Sequence, residues 1–437
     1  MLYRGHSSDQ PIVQSFLDTD FYKFTMGDFI FSNPRYADAI VTFRLKCRTP
    51  GIKLGKVIPI GHLREELDHV CKLSPTNSEW FYLRGMNVYS DNMFSKEYMN
   101  FFRTIRLPGY NLEITPEGDI DLEFTGPWKL VTYWELFGLS IVDELYHRYL
   151  VRKYLDLEAE RNRYFMTGLS RLLAKIEKIR EYPDLTLIDF GTRRRASRDW
   201  QNEVVGIMSE QLPNQFKGTS NVKLAMDHNL EPKGTSGHEL EMTAVGIADI
   251  ESGGDPYLMR LAHGVVFEKW WEKYGEGLSI ALPDTFGTSF TFSSARQSLA
   301  RDWKGTRQDS GDPLRYKEKA LQWYRGYSVD PRTKMIVFSD GLNVDSMIRI
   351  HCDCRGEIID TYGLGTNLTN DFEPMPEIRL IPLSLVIKPS RVRVGDRSVG
   401  LVKLSDNIAK AMGTPEDIAK YRKIFNYNEN FFEPCTY

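Results

Sequence analysis

The sequence predicts an α/β protein with a parallel β/α barrel in its second half, and a doubly wound parallel sheet is the alternative. Short apolar runs after residue 184 repeatedly end in loops rich in Gly, Thr, Ser and Asp, and helix-like segments lie between several of them. The seven loops are residues 189–193, 218–221, 234–239, 283–287, 305–312, 339–343 and 363–367. Because the carboxyl ends of barrel strands share one face, we expect these loops to converge on one mouth.

The first 150 residues have a mixed pattern that is dense in aromatic residues. Apolar spacing predicts a helix over residues 17–31, with Thr19 or Asp20 as its N-cap. Strict alternation predicts a half-buried strand over residues 40–47. The remaining predictions are helices at 60–72, 95–106, 128–154 and 158–182, and a hairpin across 111–125 that turns at 116–118.

The last 50 residues resemble the first 150 more than they resemble the barrel. Strands are predicted at 385–388 and 401–404, on either side of a polar hairpin at 394–398, and a helix at 415–427. We therefore expect this piece to return to the N-terminal domain. Helices within the barrel are predicted at 194–211, 221–227 and 313–327.

Composition excludes several classes of protein. The 437 residues carry 56 Lys and Arg against 59 Asp and Glu, a net charge of −3, which lacks the basic surplus of a nucleic-acid binder. The five cysteines are scattered, which disfavours a disulfide framework or a four-cysteine zinc site. No secretory signal is visible, and charged residues interrupt the richest apolar stretch, 128–151, so no membrane span is expected. The prediction is a reduced, cytoplasmic protein.

Two glycine-rich loops suggest a phosphate site. Ser339-Asp340-Gly341 and Gly363-Leu364-Gly365-Thr366 stand where the last two barrel strands would end, and glycine permits close approach of backbone N–H groups to phosphate oxygens. Ordinary turns are the alternative. A dinucleotide fingerprint fits poorly because its third glycine position is Leu368.

Other loops carry charged groups suited to anionic substrates. Arg307 could bind a carboxylate and stack on a ring, while the nearby Asp309 could hold a divalent ion or sugar hydroxyls; a simple salt bridge is the alternative. His238 could attack a phosphoryl group, with Glu239 fixing its tautomer, or could be structural. The 193–195 arginine cluster is either an anion clamp or the basic face of a helix.

Known nucleotide motifs are missing. Asp189-Phe190-Gly191 invites a protein-kinase interpretation, but the chain has no H-R-D triplet, no V-A-I-K run and no P-loop.

Taken together, these segments closely resemble nicotinate phosphoribosyltransferases. The matching runs, in the family's order, are 17–23, 189–195, 218–221, 234–235 with 238–239, 307 with 309–313, 338–340, 363–366 and 403–406. The resemblance implies that nicotinate and 5-phosphoribosyl 1-diphosphate give nicotinate mononucleotide and diphosphate, the first step of NAD salvage from nicotinate, coupled to ATP hydrolysis. It also implies an irregular β/α barrel of the type II phosphoribosyltransferase kind beside an α+β open-faced sheet domain. The barrel is assigned to residues 149–383, and the sheet domain to 1–148 with 384–437.

The resemblance further implies roles for individual residues. His238 matches the histidine that ATP transiently phosphorylates, and Arg307 and Asp309 match catalytic, substrate-contacting positions. Positions implied to contact nicotinate are Tyr22, Phe190, Ser220, Thr235 and Arg307, with Tyr22 supplied by the partner subunit of a homodimer. Positions implied to contact the phosphoribosyl and phosphate groups are Arg193, Ser339, Gly341, Gly365 and Thr366. ATP and Mg²⁺ are the implied cofactors, and Mg²⁺ is expected to arrive with the diphosphate rather than on direct protein ligands.

Ser220 bears on the choice of pyridine. Relatives that use nicotinamide have Asp at this position, where it would repel a carboxylate, so Ser220 favours nicotinate. A relative that uses nicotinamide or quinolinate and a catalytically inactive nucleotide-binding barrel are the alternatives.

Overall fold

The computed structural model describes residues 10–88, 91–155 and 157–434. The strands are β1 Ile40–Cys47, β2 Asn87–Val88, β3 Asp91–Asn92, β4 Tyr110–Ile114, β5 Ile120–Pro127, β6 Leu187–Asp189, β7 Phe216–Thr219, β8 Ile280–Ala281, β9 Gly305–Gln308, β10 Met335–Phe338, β11 Ile359–Leu364, β12 Leu385–Val394 and β13 Arg397–Gly400. The α-helices are α1 Tyr22–Phe31, α2 Pro34–Ala37, α3 Ile60–Lys72, α4 Asn77–Arg84, α5 Lys96–Phe102, α6 Trp128–Val131, α7 Trp134–Tyr154, α8 Glu158–Arg180, α9 Arg198–Gln211, α10 Val222–Asp227, α11 Glu239–Ser252, α12 Pro256–Tyr274, α13 Thr288–Ser294, α14 Gln297–Asp302, α15 Pro313–Gly326, α16 Val344–Cys354, α17 Thr366–Thr369 and α18 Pro415–Ile424.

The antiparallel sheet is built from both ends of the chain, in the order β13-β12-β1-β5-β4. β1 alternates between buried and more exposed residues as its sequence predicts. β12 contains Pro389, which has no N–H to donate, and the register against β1 shifts at this point, which is where a central strand tolerates proline. The predicted hairpin turns at Gly395, in the left-handed region, but its second strand is β13; the predicted strand at 401–404 is wrong.

The parallel sheet has the order β7-β6-β11-β10-β9-β8. Six of the seven predicted polar loops follow strands of this sheet. The 234–239 loop follows an irregular segment instead, so the strand predicted before that loop is wrong. Within the described ranges no strand pairing joins β7 to β8. The irregular segment contacts both outer strands, since the Lys233 N–H donates to the Thr219 carbonyl (2.9 Å) and the Thr235 hydroxyl donates to the Ile280 carbonyl (3.4 Å). The parallel α/β architecture is confirmed, and full closure of the barrel stays a prediction.

The first helix begins five residues later than predicted. Residues 17–21 instead run beside the loop after β7, where the Phe21 N–H donates to the Ser220 carbonyl (2.7 Å) and the Val222 N–H donates to the Thr19 carbonyl (3.0 Å). Asp20 accepts a hydrogen bond from the Ser220 hydroxyl, so neither Thr19 nor Asp20 caps the helix. The helix predicted over 128–154 is divided into α6 and α7.

One continuous apolar core runs under both sheets. A smaller cluster lies at the C-terminus, where Phe425 stacks on Phe286 with ring centroids 4.1 Å apart. The tail therefore packs against the helices around the parallel sheet, and the predicted domain boundaries stay a prediction. None of the helices in the described ranges is both long enough and apolar enough to span a bilayer.

Candidate active site

A pocket opens where the parallel strands end. It is lined by residues that directly follow β6, β7, β9, β10 and β11, as expected for loops that share one face. Eleven of the twelve predicted site residues line it: Tyr22, Phe190, Arg193, Ser220, His238, Arg307, Asp309, Ser339, Gly341, Gly365 and Thr366. The twelfth, Thr235, lines an adjacent cavity of about 460 Å³ that shares Phe190 and Arg307 with the pocket.

Two aromatic rings reach the pocket over glycines. A Cβ on Gly363 would stand 2.3 Å from the Phe190 ring, so only glycine lets this ring lie against β11. The Tyr22 ring lies against Gly237, and its hydroxyl donates to Glu135 Oε2 at 3.3 Å. Tyr22 of this same chain lines the pocket, and a contribution of this residue by a partner subunit stays a prediction.

Arg307 and Asp309 form an ion pair inside the pocket. The guanidinium donates to Asp309 Oδ1 (3.0 Å) and to the Ser236 carbonyl (3.3 Å). Burial favours the neutral carboxyl, but Arg307, His238 and Lys403 outweigh it and hold the pKa of Asp309 well below its usual range. Asp309 is therefore ionised at neutral pH, and both members of the pair line the pocket.

His238 immediately precedes α11 and has three polar neighbours. Its Nδ1 lies 2.9 Å from the Thr285 hydroxyl, and its Nε2 lies 3.0 Å from Asp309 Oδ2 and 2.7 Å from Lys403 Nζ. Burial, followed by the positive charge of Lys403, lowers the pKa of His238 to about 4, despite the opposing carboxylates. The imidazole is therefore neutral at pH 7, the form that can act as a nucleophile.

Glu239 does not fix the His238 tautomer, as the sequence interpretation expected. Its carboxylate turns away and accepts from Lys23 Nζ (2.5 Å) and Trp128 Nε1 (2.7 Å). The neighbours of the imidazole come instead from loops more than 40 residues away along the chain, which the local sequence does not reveal.

His238, Asp284 and Asp309 are close enough together to hold a metal ion. However, the Lys403 ammonium already lies among them, 2.7 Å from His238 Nε2, 3.5 Å from Asp284 Oδ2 and 3.7 Å from Asp309 Oδ2. Burial raises the pKa of Asp284, but Lys403 and His238 outweigh that effect and lower it. Because a cation already compensates these carboxylates, the three residues do not fit a resident divalent ion.

The two glycine-rich loops meet at the other side of the pocket. Gly341 adopts a left-handed conformation (φ +59°), and Asn367 Nδ2 donates to the Leu342 carbonyl at 2.9 Å, which joins the loops. The Thr366 hydroxyl is buried and lacks a hydrogen-bond partner among the described residues. An unsatisfied donor beside two glycines is the arrangement expected for a phosphate oxygen.

Comparison with known proteins identifies the family to which this chain belongs. The model of the nicotinate phosphoribosyltransferase (NAPRTase) family matches residues 185–429, and that of the nicotinate phosphoribosyltransferase (NAPRTase) N-terminal domain matches residues 17–143. The chain belongs to the nicotinate phosphoribosyltransferase family.

Solved structures with the same family name share this fold. The nicotinate phosphoribosyltransferase from Porphyromonas gingivalis is 30% identical, with a TM-score of 0.82 over 95% of this chain and 100% of that one. A putative nicotinate phosphoribosyltransferase from Saccharomyces cerevisiae is 27% identical (TM-score 0.80, covering 96% and 99%), and the enzyme from Vibrio cholerae is 26% identical (TM-score 0.80, covering 97% and 96%).

In this family member, sequence reasoning missed most of the positive charge of the site. Eight Lys and Arg side chains line the pocket against three Asp, although the whole chain is slightly acidic. Those to which the family resemblance gave no role are Arg48, Arg194 (named earlier only as part of the arginine cluster), Lys233, Lys388, Lys403 and Lys410. Arg194 and Lys403 lay within runs that resemble the family; Lys388 reaches the pocket from the antiparallel sheet, a placement that local patterns do not indicate.

The arginine cluster is divided between two environments. Arg193 and Arg194 line the pocket, as the anion-clamp interpretation expects. Arg195 is fully buried and forms two hydrogen bonds with Asp18, at 2.7 and 2.8 Å.

Asp20 is an acidic pocket residue that sequence reasoning did not assign to the site of this nicotinate phosphoribosyltransferase. It lines the pocket and accepts the Ser220 hydroxyl at 2.7 Å. Burial raises the pKa of Asp20, which favours its neutral form. A carboxyl group is therefore present next to position 220 even though residue 220 is Ser.

Proposed function

We propose that this chain transfers the phosphoribosyl group of 5-phosphoribosyl 1-diphosphate to nicotinate, releasing nicotinate mononucleotide and diphosphate in NAD salvage. The observation that carries the proposal is a single pocket that combines a ring site with a phosphate site. Phe190, Tyr22 and Arg307 offer aromatic faces and a bidentate cation to a pyridine carboxylate. The 339–342 and 363–367 loops offer backbone donors to phosphate.

The chemistry needs charge stabilisation rather than a general base. The pyridine nitrogen has a free lone pair and attacks C1 of the ribose, while the bond from C1 to the diphosphate oxygen breaks. Preorganised cations stabilise the charge that develops on the leaving diphosphate, and Asp309 lies close enough to support the positive charge on the ribose. The excess of Lys and Arg around the pocket supplies this environment.

Mg²⁺ enters this proposal as part of the substrate. Bound to diphosphate, it supplies further positive charge. Because Lys403 already lies among the carboxylates near His238, we expect no separate Mg²⁺ site there.

We further propose that ATP drives the reaction through a phosphohistidine on His238. The lowered pKa leaves the ring neutral, and a proton on Nδ1, donated to Thr285, would put the lone pair on Nε2. Lys403 donates to that lone pair in this structure, so its ammonium would turn to the γ-phosphate as Nε2 attacks the phosphorus. Lys403 Nζ, 2.7 Å from Nε2, is placed to contact the transferred phosphoryl oxygens. The new phosphate would add negative charge beside Asp309 and so reorganise the pocket.

Two experiments test these proposals. Steady-state rates with nicotinate, nicotinamide and quinolinate should show strong preference for nicotinate. Activity with nicotinamide alone would contradict the substrate assignment, and substrate binding without diphosphate release would indicate an inactive barrel.

Incubation with γ-labelled ATP should give an acid-labile phosphoprotein. His238→Ala should lose this label and the ATP stimulation while retaining slower, uncoupled transfer, so ATP stimulation that survives would contradict the phosphohistidine.

The predicted homodimer also remains a proposal, as does the cytoplasmic location. As the family resemblance implies, the active sites of this homodimer would lie at the subunit interface. Light scattering across protein concentration would measure the assembly, and specific activity should fall as dilution separates the dimer; activity that stays constant while the dimer dissociates would contradict interface active sites.

A further inference from the structure

A buried carboxyl group lies behind His238, on the side away from the pocket, and the proposed function does not use it. Glu241 is in the first turn of α11, three residues after His238, and only 1% of it is exposed. Residues three apart on a helix lie on neighbouring parts of its surface. Buried acidic side chains are uncommon unless they are paired, so this one requires an explanation.

Thr285 connects Glu241 to the imidazole. Its side chain is fully buried and its hydroxyl lies 2.9 Å from His238 Nδ1. The same hydroxyl is close enough to the Glu241 carboxyl to oppose, as a hydrogen-bond donor, part of the rise in the pKa of that group. The second carboxyl oxygen, Oε2, is buried with no hydrogen-bond partner among the described residues. A hydroxyl group can accept one hydrogen bond while donating another, so His238, Thr285 and Glu241 form a continuous relay.

The charges around this relay are mixed. Asp284 raises the pKa of Glu241 and Arg307 lowers it. Lys403, Asp309 and Asp284 surround the far side of the imidazole, and Asp284 in turn raises the pKa of Asp406. Burial, the largest influence, raises the pKa of Glu241 to about 8. A group with a pKa near the working pH is suited to accepting and returning a proton.

We propose that Glu241, acting through the Thr285 hydroxyl, is a positioning residue that holds a proton on His238 Nδ1 and takes up that proton when Nε2 is phosphorylated. The inference rests on the phosphohistidine of the proposed function. A bond forms between Nε2 and the γ-phosphorus while the bond to ADP breaks, and ADP leaves with the electron pair. The Nδ1 proton passes to the Thr285 oxygen as the Thr285 proton passes to the Glu241 carboxylate; hydrolysis reverses this transfer.

The relay makes phosphorylation depend on pH in a defined direction. Only the Glu241 carboxylate can accept the proton, so the initial rate of labelling by γ-labelled ATP should rise as pH increases through about 8. Glu241→Gln keeps the shape and the hydrogen-bond acceptor but cannot take up a proton. We expect this variant to be labelled at least about tenfold more slowly, with the rise through pH 8 absent.

Asp143→Asn is the matched control. Asp143 is another buried carboxyl group whose pKa burial raises to about 8, but its hydrogen bond is to Asn370 rather than toward His238. This variant should keep the pH rise whatever its absolute rate. A wild-type protein with no acid-labile label would overturn the phosphohistidine itself, whereas labelling of Glu241→Gln with the wild-type rate and pH profile would overturn the relay alone.

A second measurement does not need ATP. Nitrogen-15 NMR of the histidine rings, with His238→Ala identifying the signal, should show the proton on Nδ1 above pH 8 in the wild type. Glu241→Leu should shift this signal toward a mixture of tautomers, and Thr285→Val, which removes the hydroxyl with little change in size, should do the same. A signal unchanged in both variants would mean that Glu241 only stabilises the start of the helix, and would overturn the proposal.

Discussion

Arg307 illustrates how single residues of the pocket combine binding with fixed orientation. One edge of its guanidinium is held by Asp309 and by the Ser236 carbonyl, and the side chain separates the pocket from the adjacent cavity that Thr235 lines. Lysine could supply the charge but not the planar, forked set of donors. The site therefore depends on the shape of this side chain as well as on its charge.

Arg307→Ala should raise KM for nicotinate about 10- to 100-fold and lower kcat, because hydrogen bonds to charged groups contribute about 1.5–3 kcal/mol. Arg307→Lys should recover part of this loss. Arg332→Ala removes an exposed pair with Asp330 and should leave both constants unchanged. An unchanged KM in Arg307→Ala would contradict its proposed role.

Asp18 is a single residue that contributes to the stability of the fold. It is fully buried, and Arg195, Arg198 and Asn221 together outweigh its burial and lower its pKa below 3.8. Asp18→Ala removes the closer carboxylate from the buried Arg195 guanidinium, which keeps Glu144 at 3.7 Å, and should lower the free energy of unfolding by about 3–5 kcal/mol, measured by denaturant titration. Asp330→Ala, at an exposed pair, should match the wild type.

The direction of the pH effect follows from the same shift. A carboxyl whose pKa is lower in the folded state stabilises the fold at higher pH, and this contribution disappears as pH falls through the folded pKa. The stability difference between wild type and Asp18→Ala should therefore shrink below about pH 3.8. A difference that is constant across the acid range would contradict the assignment.

Sequence reasoning located the residue types of the site but not their partners. The polar loops after strands were recognisable because glycine and hydroxyl residues interrupt apolar runs, and they do surround one pocket. The contacts of His238 were not recognisable, because Thr285, Asp309 and Lys403 are brought to it by tertiary structure. Glu239, adjacent in sequence, instead accepts hydrogen bonds from Lys23 and Trp128.

Among the elements, β11 has the clearest link to the site. Its Gly363 leaves room for the Phe190 ring, and the strand continues into Gly365 and Thr366 at the phosphate loops. This one strand therefore positions both the Phe190 ring and the proposed phosphate-binding loop at the pocket. A change in its side chains should therefore affect binding before it affects the rest of the fold.

Gly363→Ala tests this link. The new Cβ would overlap the Phe190 ring, so the ring must move, and we expect kcat/KM for nicotinate to fall about tenfold or more with a loss of stability of about 1–3 kcal/mol. Gly264→Ala in α12 meets no atom within 4 Å and should be neutral or stabilising. Wild-type kinetics in Gly363→Ala would contradict the proposed position of Phe190.

Element predictions succeeded where periodicity was strong and failed where tertiary contacts replaced it. β1 and the hairpin of β4 and β5 follow their alternation. Residues 17–21 have helical spacing, yet they pair with the loop after β7. Residues 401–404 alternate, yet in place of a strand they form an isolated bridge from Lys403 to Met412 and hydrogen bonds to Ser390 and Thr285. In both cases hydrogen bonds to distant segments satisfy the backbone.

At the scale of the whole molecule, the antiparallel sheet depends on the C-terminal part of the chain. β12 is an inner strand that pairs with β1 along its length and buries Leu385, Ile387 and Val392. Without it, β1 would have an unpaired edge and the sheet an open core. The N-terminal domain is therefore incomplete until the last 55 or so residues are in place.

Removal of residues 384–437 should thus unfold the N-terminal strands as well as delete the tail. Hydrogen exchange should show β1 and β5 losing protection, and the protein should become aggregation-prone. Arg397→Ala, an exposed change in the edge strand β13, is the control and should retain full protection. A truncated chain with protected β1 and β5 would show that the N-terminal sheet is independent.

This pairing also sets an order for folding during synthesis. Ile40 must wait for Arg393, its partner in the register, to leave the ribosome. At about 5–20 residues per second, that delay is roughly 20–70 s. Throughout this time the edge of β1 lacks its neighbour, so the nascent chain has a window in which chaperones that shield β-edges should determine how much enzyme is recovered.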